Sequence, residues 1–322
     1  MGIRPLPALL LAASLVFSPF SAAQKYPEKT VRLVLPFPSG ASQILGHLVG
    51  DRLTEALGQP VIVDYRPGAG GTIGAEVAAR SPNDGYTLML TSVSLAISPS
   101  IYKTLKFDTL RDFTPITLIA TVPNVLVVHP SVPAKNLREL VQVARAHPGK
   151  LSFGSGGIGS SNHLANELLM SLAKIRMVHV PYKGASIALT HILGGEIDLV
   201  VVTVPATIPF VTSGKLRGIA VLAPERVATL PGVPTTAESG MPQLVVITWY
   251  GLFAPAGVRP EIVGRLHADT VRIMKTPDMR NRLAAVGTDP AVSVTPAEFA
   301  AAFRAETEKW ARVIREAGIK VE

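Results

Sequence analysis

The chain has 322 residues, of which 48% are hydrophobic and 17% charged, and it contains no cysteine. This length and composition predict an ordinary globular protein of two domains, and they exclude a disordered chain, a collagen-like repeat and a disulfide scaffold. The formal net charge of +8 is spread along the sequence. It therefore offers a diffuse attraction for anions and no basic stripe of the kind that binds nucleic acid.

The N-terminus has the pattern of a secretory signal. Arg4 precedes an apolar stretch over residues 9–17, and small residues occupy positions 21–23. This order predicts a signal peptide over residues 1–23, cleaved after Ala23, and hence an exported protein. The alternative is a membrane anchor, which requires about 18 apolar residues in a row, and this stretch is shorter.

Two segments repeat the order strand, loop, helix, strand. In the first, an apolar, β-branched strand at 30–35 ends in a proline- and glycine-containing loop and leads into a helix at 43–57. The second copy has a strand at 151–153 and a helix at 163–173. Each copy places its loop at the carboxyl end of a strand, where open parallel sheets bind ligands. The repeat predicts an α/β fold with two lobes, each a mostly parallel sheet flanked by helices.

The chain is expected to cross between the lobes twice. Breaks near Pro123 and Pro224 are the candidate crossings. They divide the chain into lobe 1, residues 24–123 and 225–322, and lobe 2, residues 124–224. Three final helices are expected to pack back on lobe 1, the last of them through an amphipathic face. Their predicted spans are 261–274, 277–286 and 296–317.

The loop of the second copy has the chemistry of an anion site. Its glycines allow close approach to the backbone, and its hydroxyls lie beside the free amides of a helix start. Hydrogen bonds to a charged group contribute about 1.5–3 kcal/mol each, so a few of them hold a carboxylate without an arginine. Two interpretations stay open here: Ser160, Ser161 or Asn162 caps the helix only, or also contacts a ligand.

Other chemistry has little support in the sequence. Gly154, Gly156 and Gly159 satisfy the Gly-x-Gly-x-x-Gly pattern, but the acidic residue expected after the next strand is missing, and an exported protein has little access to NAD. No zinc-protease, nucleophile-elbow or P-loop string occurs, and the seven histidines are scattered. We therefore expect no cofactor and no metal, and hydrolase chemistry lacks support.

Several strings, in this order along the chain, carry a family resemblance. They are KYP at 25–27, PFPSG at 36–40, YRPGAGG at 65–71, NDGYTL at 83–88, PYKG at 181–184 and WYGLFAP at 249–255. With these strings the chain resembles the substrate-binding receptors of tripartite tricarboxylate transporters, the Bug family. The resemblance implies a periplasmic two-lobe binding protein of type II, which closes on a small carboxylate and works with membrane permease subunits. It implies no catalysis, and we expect a monomer.

The resemblance also implies where the ligand lies. In this family the carboxylate is held by the first strand-to-helix loop and by its counterpart in the second lobe. On this sequence the residues are Phe37, Pro38, Ser39, Gly40, Ala41, Ser42 and Gln43 in the first loop, and Ser155, Gly156, Gly159, Ser160, Ser161, Asn162 and His163 in the second. Ser92, Ser94 and Thr203, which follow two other predicted strands, are further candidates.

The first loop departs from the family pattern at one position. The family usually has two adjacent glycines and then an aspartate, whereas this chain reads GASQ at 40–43 and is one residue shorter. Neutral Gln43 would hold a ligand ammonium group poorly, so we expect an aromatic or aliphatic carboxylate without an amine.

Two other functions of the protein stay open: a sensor that signals to a membrane partner, and an exported enzyme, which would need a nucleophile with a base or a metal set.

Overall fold

A computed structural model of the chain describes residues 2, 26–38, 40–285, 288–316 and 318–319. Apart from Gly2, the predicted signal peptide at 1–23 lies outside the described residues, and so does the candidate site residue Ser39. Within these ranges, no helix combines the length and the apolar character needed to cross a membrane.

Strands and helices alternate through most of the described chain. The strands are β1 (Val31–Leu35), β2 (Val61–Tyr65), β3 (Thr87–Ser92), β4 (Phe113–Val128), β5 (Ser152–Ser155), β6 (Val178–Pro181), β7 (Leu199–Thr203), β8 (Arg217–Val221), β9 (Ile247–Pro255) and β10 (Asp289–Pro290). The helices are α1 (Ala41–Leu57), α2 (Thr72–Ala79), α3 (Ser94–Ile101), α4 (Leu137–Ala146), α5 (Ser161–Ala173), α6 (Ala185–Leu193), α7 (Val204–Thr212), α8 (Pro260–Met274), α9 (Pro277–Ala285) and α10 (Pro296–Glu316).

The strands form two sheets of related design. In the first, the order is β2-β1-β3-β9-β4-β10, and in the second it is β6-β5-β7-β4-β8. Each sheet contains three parallel strands, β2-β1-β3 or β6-β5-β7, bordered by an antiparallel strand. Helices flank both sheets. The predicted α/β fold of two lobes is confirmed, and we call the parts built on the first and second sheets lobe 1 and lobe 2.

A single long strand connects the two sheets. Strand β4 pairs with β9 up to Pro123 and with β7 from Asn124 onward, so it changes sheets between these two residues. The sequence predicts only its last part, residues 125–128, because prolines at 115 and 123 interrupt the apolar pattern. Both prolines lie within the strand, and the register shifts just after Pro115, which has no amide to donate to the ladder.

Before the chain returns to lobe 1, it forms a longer segment of lobe 2 than the sequence predicts. After Pro224 the chain still bonds to the second sheet: the amide of Thr236 donates to the carbonyl of Val221, and the amide of Val246 donates to the carbonyl of Leu222. Leu230 and Val233 pack in the core of lobe 2. We therefore propose that lobe 2 spans residues 124–246 and that the second crossing lies at the start of β9, rather than at 224.

The C-terminal helix packs on lobe 1 through the face that the sequence predicts. Phe299, Phe303 and Trp310 of α10 are buried. Phe303 lies 5.1 Å from Phe253 and 6.0 Å from Trp249, measured between ring centroids, and the rings meet at steep angles that aromatic pairs favour. This aromatic cluster fixes α10 against β9, the strand that runs from the second crossing into lobe 1.

Candidate functional site

A cleft lies between the two lobes, at the carboxyl ends of the parallel strands. Its empty space is about 580 Å³, including the mouth that is open to solvent. It is lined by Phe37, Gly40, Ala41, Ser42, Ser92, Ser94, Asn124, Gly156, Ser160, Ser161, Asn162, Ala185, Ser186, Val202, Thr203, Ala206, Thr248 and Tyr250. The described lining contains no acidic or basic side chain. Any charge that enters the cleft is therefore met by backbone dipoles, hydroxyls and amides.

Helix α1 presents an uncapped N-terminus to the cleft. Its N-cap residue is Gly40, at φ 65°, which has no side chain to satisfy the first amides of the helix. The amides of Ala41, Ser42 and Gln43 belong to the first turn and have no acceptor within the helix. The Ser42 hydroxyl is buried and, among the described residues, finds no hydrogen-bond partner. Amides without a helical acceptor, and a hydroxyl without a partner among the described residues, are together suited to an anion.

Helix α5 forms the facing wall and is capped by its own loop. The Ser160 hydroxyl accepts a hydrogen bond from the amide of His163 and donates to the carbonyl of Gly157. The cap that the sequence predicts is thus present at Ser160. Ser161, the next residue, lines the cleft, and its Oγ lies 3.4 Å from Oγ1 of Thr248 in lobe 1. The amides of Ser161 and Asn162 have no acceptor within the helix.

Further helix starts converge on the same space. Helix α6 begins after Gly184, again without a side-chain cap, and its residues Ala185 and Ser186 line the cleft. A Cβ atom built on Gly40 would lie 3.8 Å from the Ser186 hydroxyl, so α1 and α6 face each other across the lobes. Ser94 opens α3 and Thr203 is the N-cap of α7. Because helix N-termini carry partial positive charge, this convergence favours a negatively charged group.

Eleven of the residues singled out from the sequence line this cleft. They are Phe37, Gly40, Ala41, Ser42, Ser92, Ser94, Gly156, Ser160, Ser161, Asn162 and Thr203. Pro38, Gln43, Ser155, Gly159 and His163 are not part of the lining. Gln43 is exposed on α1 and its side chain is not part of the lining, whereas its amide belongs to the first turn of the helix.

Ser155 and His163 point into lobe 2 instead. The Ser155 hydroxyl lies 2.6 Å from Nε2 of His179 and accepts from the amide of Gly157. Nδ1 of His163 accepts from the amide of Gly159. These bonds fix the shape of the loop from behind, because they hold its backbone without occupying the cleft. We assign Ser155 and His163 to loop support on this geometry.

Several lining residues on the floor of the cleft were not predicted from the sequence. Asn124 is buried, and its Nδ2 donates to the carbonyl of Val246 and to Oγ1 of Thr248, at 2.7 and 2.9 Å. These bonds join the two crossing strands, β4 and β9. Burial raises the pKa of the neighbouring Tyr250 hydroxyl, so the phenol stays protonated. A polar Asn within the apolar run of β4 was the available signal for this site.

Half-buried His179, behind the second loop, is expected to make folding sensitive to acid. His179 stacks on Phe153 at 4.8 Å and lies 4.3 Å from the ring of His163. Burial, and secondarily the neighbouring His163, lower the pKa of His179 to about 4, against the opposing effect of Glu167. In the unfolded chain this pKa is near 6.5. Between pH 6.5 and 4 the unfolded chain therefore binds more protons than the folded protein does.

We expect the contribution of His179 to stability to be complete above pH 6.5 and to be lost progressively towards pH 4. The loss is about 1–2 kcal/mol, less than the full value of such a pKa change because the ring is only partly buried. Guanidinium unfolding at pH 7, 5 and 4 measures it, and the variant His179→Gln should lose less stability on acidification. Equal losses in both proteins would show that His179 does not titrate in this way.

The fold and the cleft define a class of protein: a two-lobe binding protein with a cleft between its lobes. The profile of the tripartite tricarboxylate transporter family receptors matches residues 46–319. The chain belongs to this family. Its family and fold are those of periplasmic solute-binding receptors.

Individual relatives agree with this assignment. The chain is 34% identical to protein BugT of Bordetella pertussis over 316 residues, which cover 97% of this chain and 96% of BugT. The structure of Rpa4515 of R. palustris with adipate matches with a TM-score of 0.88 at 32% identity, over 92% of this chain and 100% of the other. MatC of Rhodopseudomonas palustris with bound malate matches with a TM-score of 0.85 at 30% identity, over 90% and 100%.

Proposed function

We propose that this protein captures a small carboxylate in the cleft between its lobes and presents it to the membrane subunits of a tripartite tricarboxylate-type transporter. One observation carries the proposal: uncapped or hydroxyl-bearing helix starts from both lobes converge on one cleft whose described lining has no charged side chain. Such a site neutralises a carboxylate by hydrogen bonds alone, which supports binding as its role.

The expected contacts with the ligand are deduced from the hydrogen-bond donors that lie at the cleft. First-turn amides of α1, together with the Ser42 hydroxyl, which has no partner among the described residues, approach the carboxylate from lobe 1. The amides and hydroxyl at Ser161 and Asn162 approach it from lobe 2. Each hydrogen bond to a charged group contributes about 1.5–3 kcal/mol, and closure of the lobes strengthens these bonds by excluding water. The ligand is therefore bound most tightly when both lobes contact it.

Adipate and malate, bound in two related structures, indicate aliphatic dicarboxylates as the ligand class to test first. The far end of such a ligand would extend towards the floor of the cleft, where Asn124, Thr248 and Tyr250 offer neutral polar groups. The absence of an acidic side chain from the described lining supports the expectation of a ligand without an amine, because an ammonium group would find no counter-charge there.

The proposed role requires export and a membrane partner. The predicted signal peptide at 1–23 supports export, and members of this family work with membrane components of a transporter. We propose that the mature protein starts at Gln24, is periplasmic and acts as a monomer. Purification from the periplasm with N-terminal sequencing would test the cleavage, because retention of residue 1 would contradict it.

Calorimetric titration of the mature protein tests the ligand proposal. Adipate and malate should bind with a stoichiometry of one, and glutamate and aspartate, which carry an amine, should bind far more weakly. Small-angle scattering of the same samples should show a smaller radius of gyration when the ligand is bound, because the lobes close about the crossings. Binding of amino acids alone would contradict the ligand class, and an unchanged profile with a tightly bound acid would contradict closure.

A further inference from the structure

The glycine-rich turn that follows β2 faces the opposite lobe. This turn, Ala69–Gly71, belongs to the YRPGAGG string, but its residues do not line the cleft. Gly70 has a φ of 58°. A Cβ atom built on Gly70 would overlap the carbonyl oxygen of Ile158 in lobe 2 and would lie 2.9 Å from the Tyr102 hydroxyl. Glycine is therefore required here both by the backbone conformation and by a close contact between the lobes.

Tyr102 makes a hydrogen bond across the same boundary. It follows the last residue of α3, in lobe 1, and its hydroxyl donates to the carbonyl of Ile158 at 2.7 Å. Its ring lies against Gly159, where an added Cβ atom would be 3.1 Å from Cε2 of the tyrosine. Gly70, Tyr102 and the two loop residues thus form one compact contact between the lobes, which we name the clasp.

The clasp acts on the loop that carries the second ligand-binding wall. Gly156 and Ser160, on either side of Ile158, both line the cleft. Within the loop the amide of Ser160 bonds to the carbonyl of Gly157, which closes a tight turn around Ile158. A hydrogen bond that holds the carbonyl of Ile158 therefore also fixes the position of Gly156 and Ser160 relative to lobe 1.

We propose that Tyr102 and Gly70 are positioning residues that hold the lobes closed: on closure, Ile158 docks against both, and its loop is fixed for the ligand. Neither residue lines the cleft, so their effect on binding passes through closure. The part of this inference that concerns affinity rests on the proposed function of the cleft, whereas the part that concerns closure does not.

Distance measurements on the ligand-free protein test the clasp directly. The chain has no cysteine, so Ala146→Cys on α4 and Gly264→Cys on α8, both exposed and in different lobes, provide two unique spin-label sites. Tyr102→Phe should lower the ratio of closed to open molecules by about two- to tenfold, the effect of one lost hydrogen bond. Gly70→Ala should lower it further. Identical distance distributions in wild type and both variants would overturn the proposal.

Two matched controls separate the clasp from general effects. Tyr65→Phe removes a hydroxyl that lies 2.9 Å from Nε2 of His47, in the same lobe. Gly58→Ala introduces a side chain at a similar φ, 70°, with no heavy atom within 4 Å of the new Cβ. Both should retain the wild-type distribution. A loss of closed molecules in Gly58→Ala equal to that in Gly70→Ala would overturn the role of the Gly70 contact.

Stopped-flow binding of adipate tests the positioning role. Tyr102→Phe should dissociate about two- to tenfold faster, with an unchanged association rate, because the missing bond exists only in the closed state. Wild-type dissociation in Tyr102→Phe would overturn the positioning role. Failure of the wild type to bind any carboxylate would count against the proposed function, and the ligand-free distances would still decide whether the clasp holds the lobes together.

Discussion

Replacing Ser161 by aspartate is expected to weaken carboxylate binding by at least about 100-fold while leaving the fold intact. The new carboxylate would occupy the first turn of α5, where Ser161 lines the cleft. Two like charges about 4 Å apart in a partly desolvated site repel by about 4 kcal/mol. The helix itself tolerates the change, because an acidic residue in the first turn is favourable. Calorimetry with adipate measures the loss.

Two variants control this experiment. Thr295→Asp adds the same charge at the start of α10, at an exposed cap that is not part of the cleft lining, where the Thr295 hydroxyl accepts from the amide of Glu298. It should bind like the wild type. Ser161→Ala removes the hydroxyl but adds no charge, and it should cost about tenfold or less. Near-normal binding by Ser161→Asp would show that the α5 start does not contact the ligand carboxylate.

Replacing Phe303 by alanine is expected to lower the free energy of unfolding by about 3–5 kcal/mol. The ring is buried and sits in the cluster formed with Trp249 and Phe253. Its removal leaves a cavity between α10 and β9 that rigid neighbouring rings cannot fill. Chemical denaturation, monitored by circular dichroism at neutral pH, measures the change.

The loss in free energy of unfolding should depend on how much side-chain volume the substitution removes. Phe303→Leu retains most of the volume and is expected to cost about 1–2 kcal/mol. Val294→Ala, at a side chain that is 80% exposed just before α10, should change stability by less than about 0.5 kcal/mol. If Phe303→Ala were as stable as Val294→Ala, the packing of α10 on lobe 1 described above would be wrong.

Local patterns were sufficient to locate both facing loops of the cleft. The order of strand, glycine- and serine-containing loop and helix predicts that Ser42 and Ser161 lie at helix starts, and both line the cleft. The predicted helices began at 43 and 163, whereas α1 and α5 begin two residues earlier. The difference arises because small and hydroxyl residues, typical of loops, here form the first turns that present their amides.

Residues that depend on long-range contacts could not be predicted in the same way. Asn124 and Thr248 meet because β4 and β9 run side by side at the crossing, although they are 124 positions apart in sequence. The direction in which a loop side chain points could not be predicted from the sequence either. Ser155 and His163 belong to the expected loop, yet their side chains turn towards lobe 2, because His179 lies on the neighbouring strand β6 to receive Ser155.

A crystal structure of the mature protein with adipate would test the central claim most directly. We predict one carboxylate of the ligand within hydrogen-bond distance of the amides at the start of α1 and of α5, with no arginine or lysine in contact. Adipate bound outside the cleft, or held there by a basic side chain, would contradict the claim that helix starts from both lobes hold the anion.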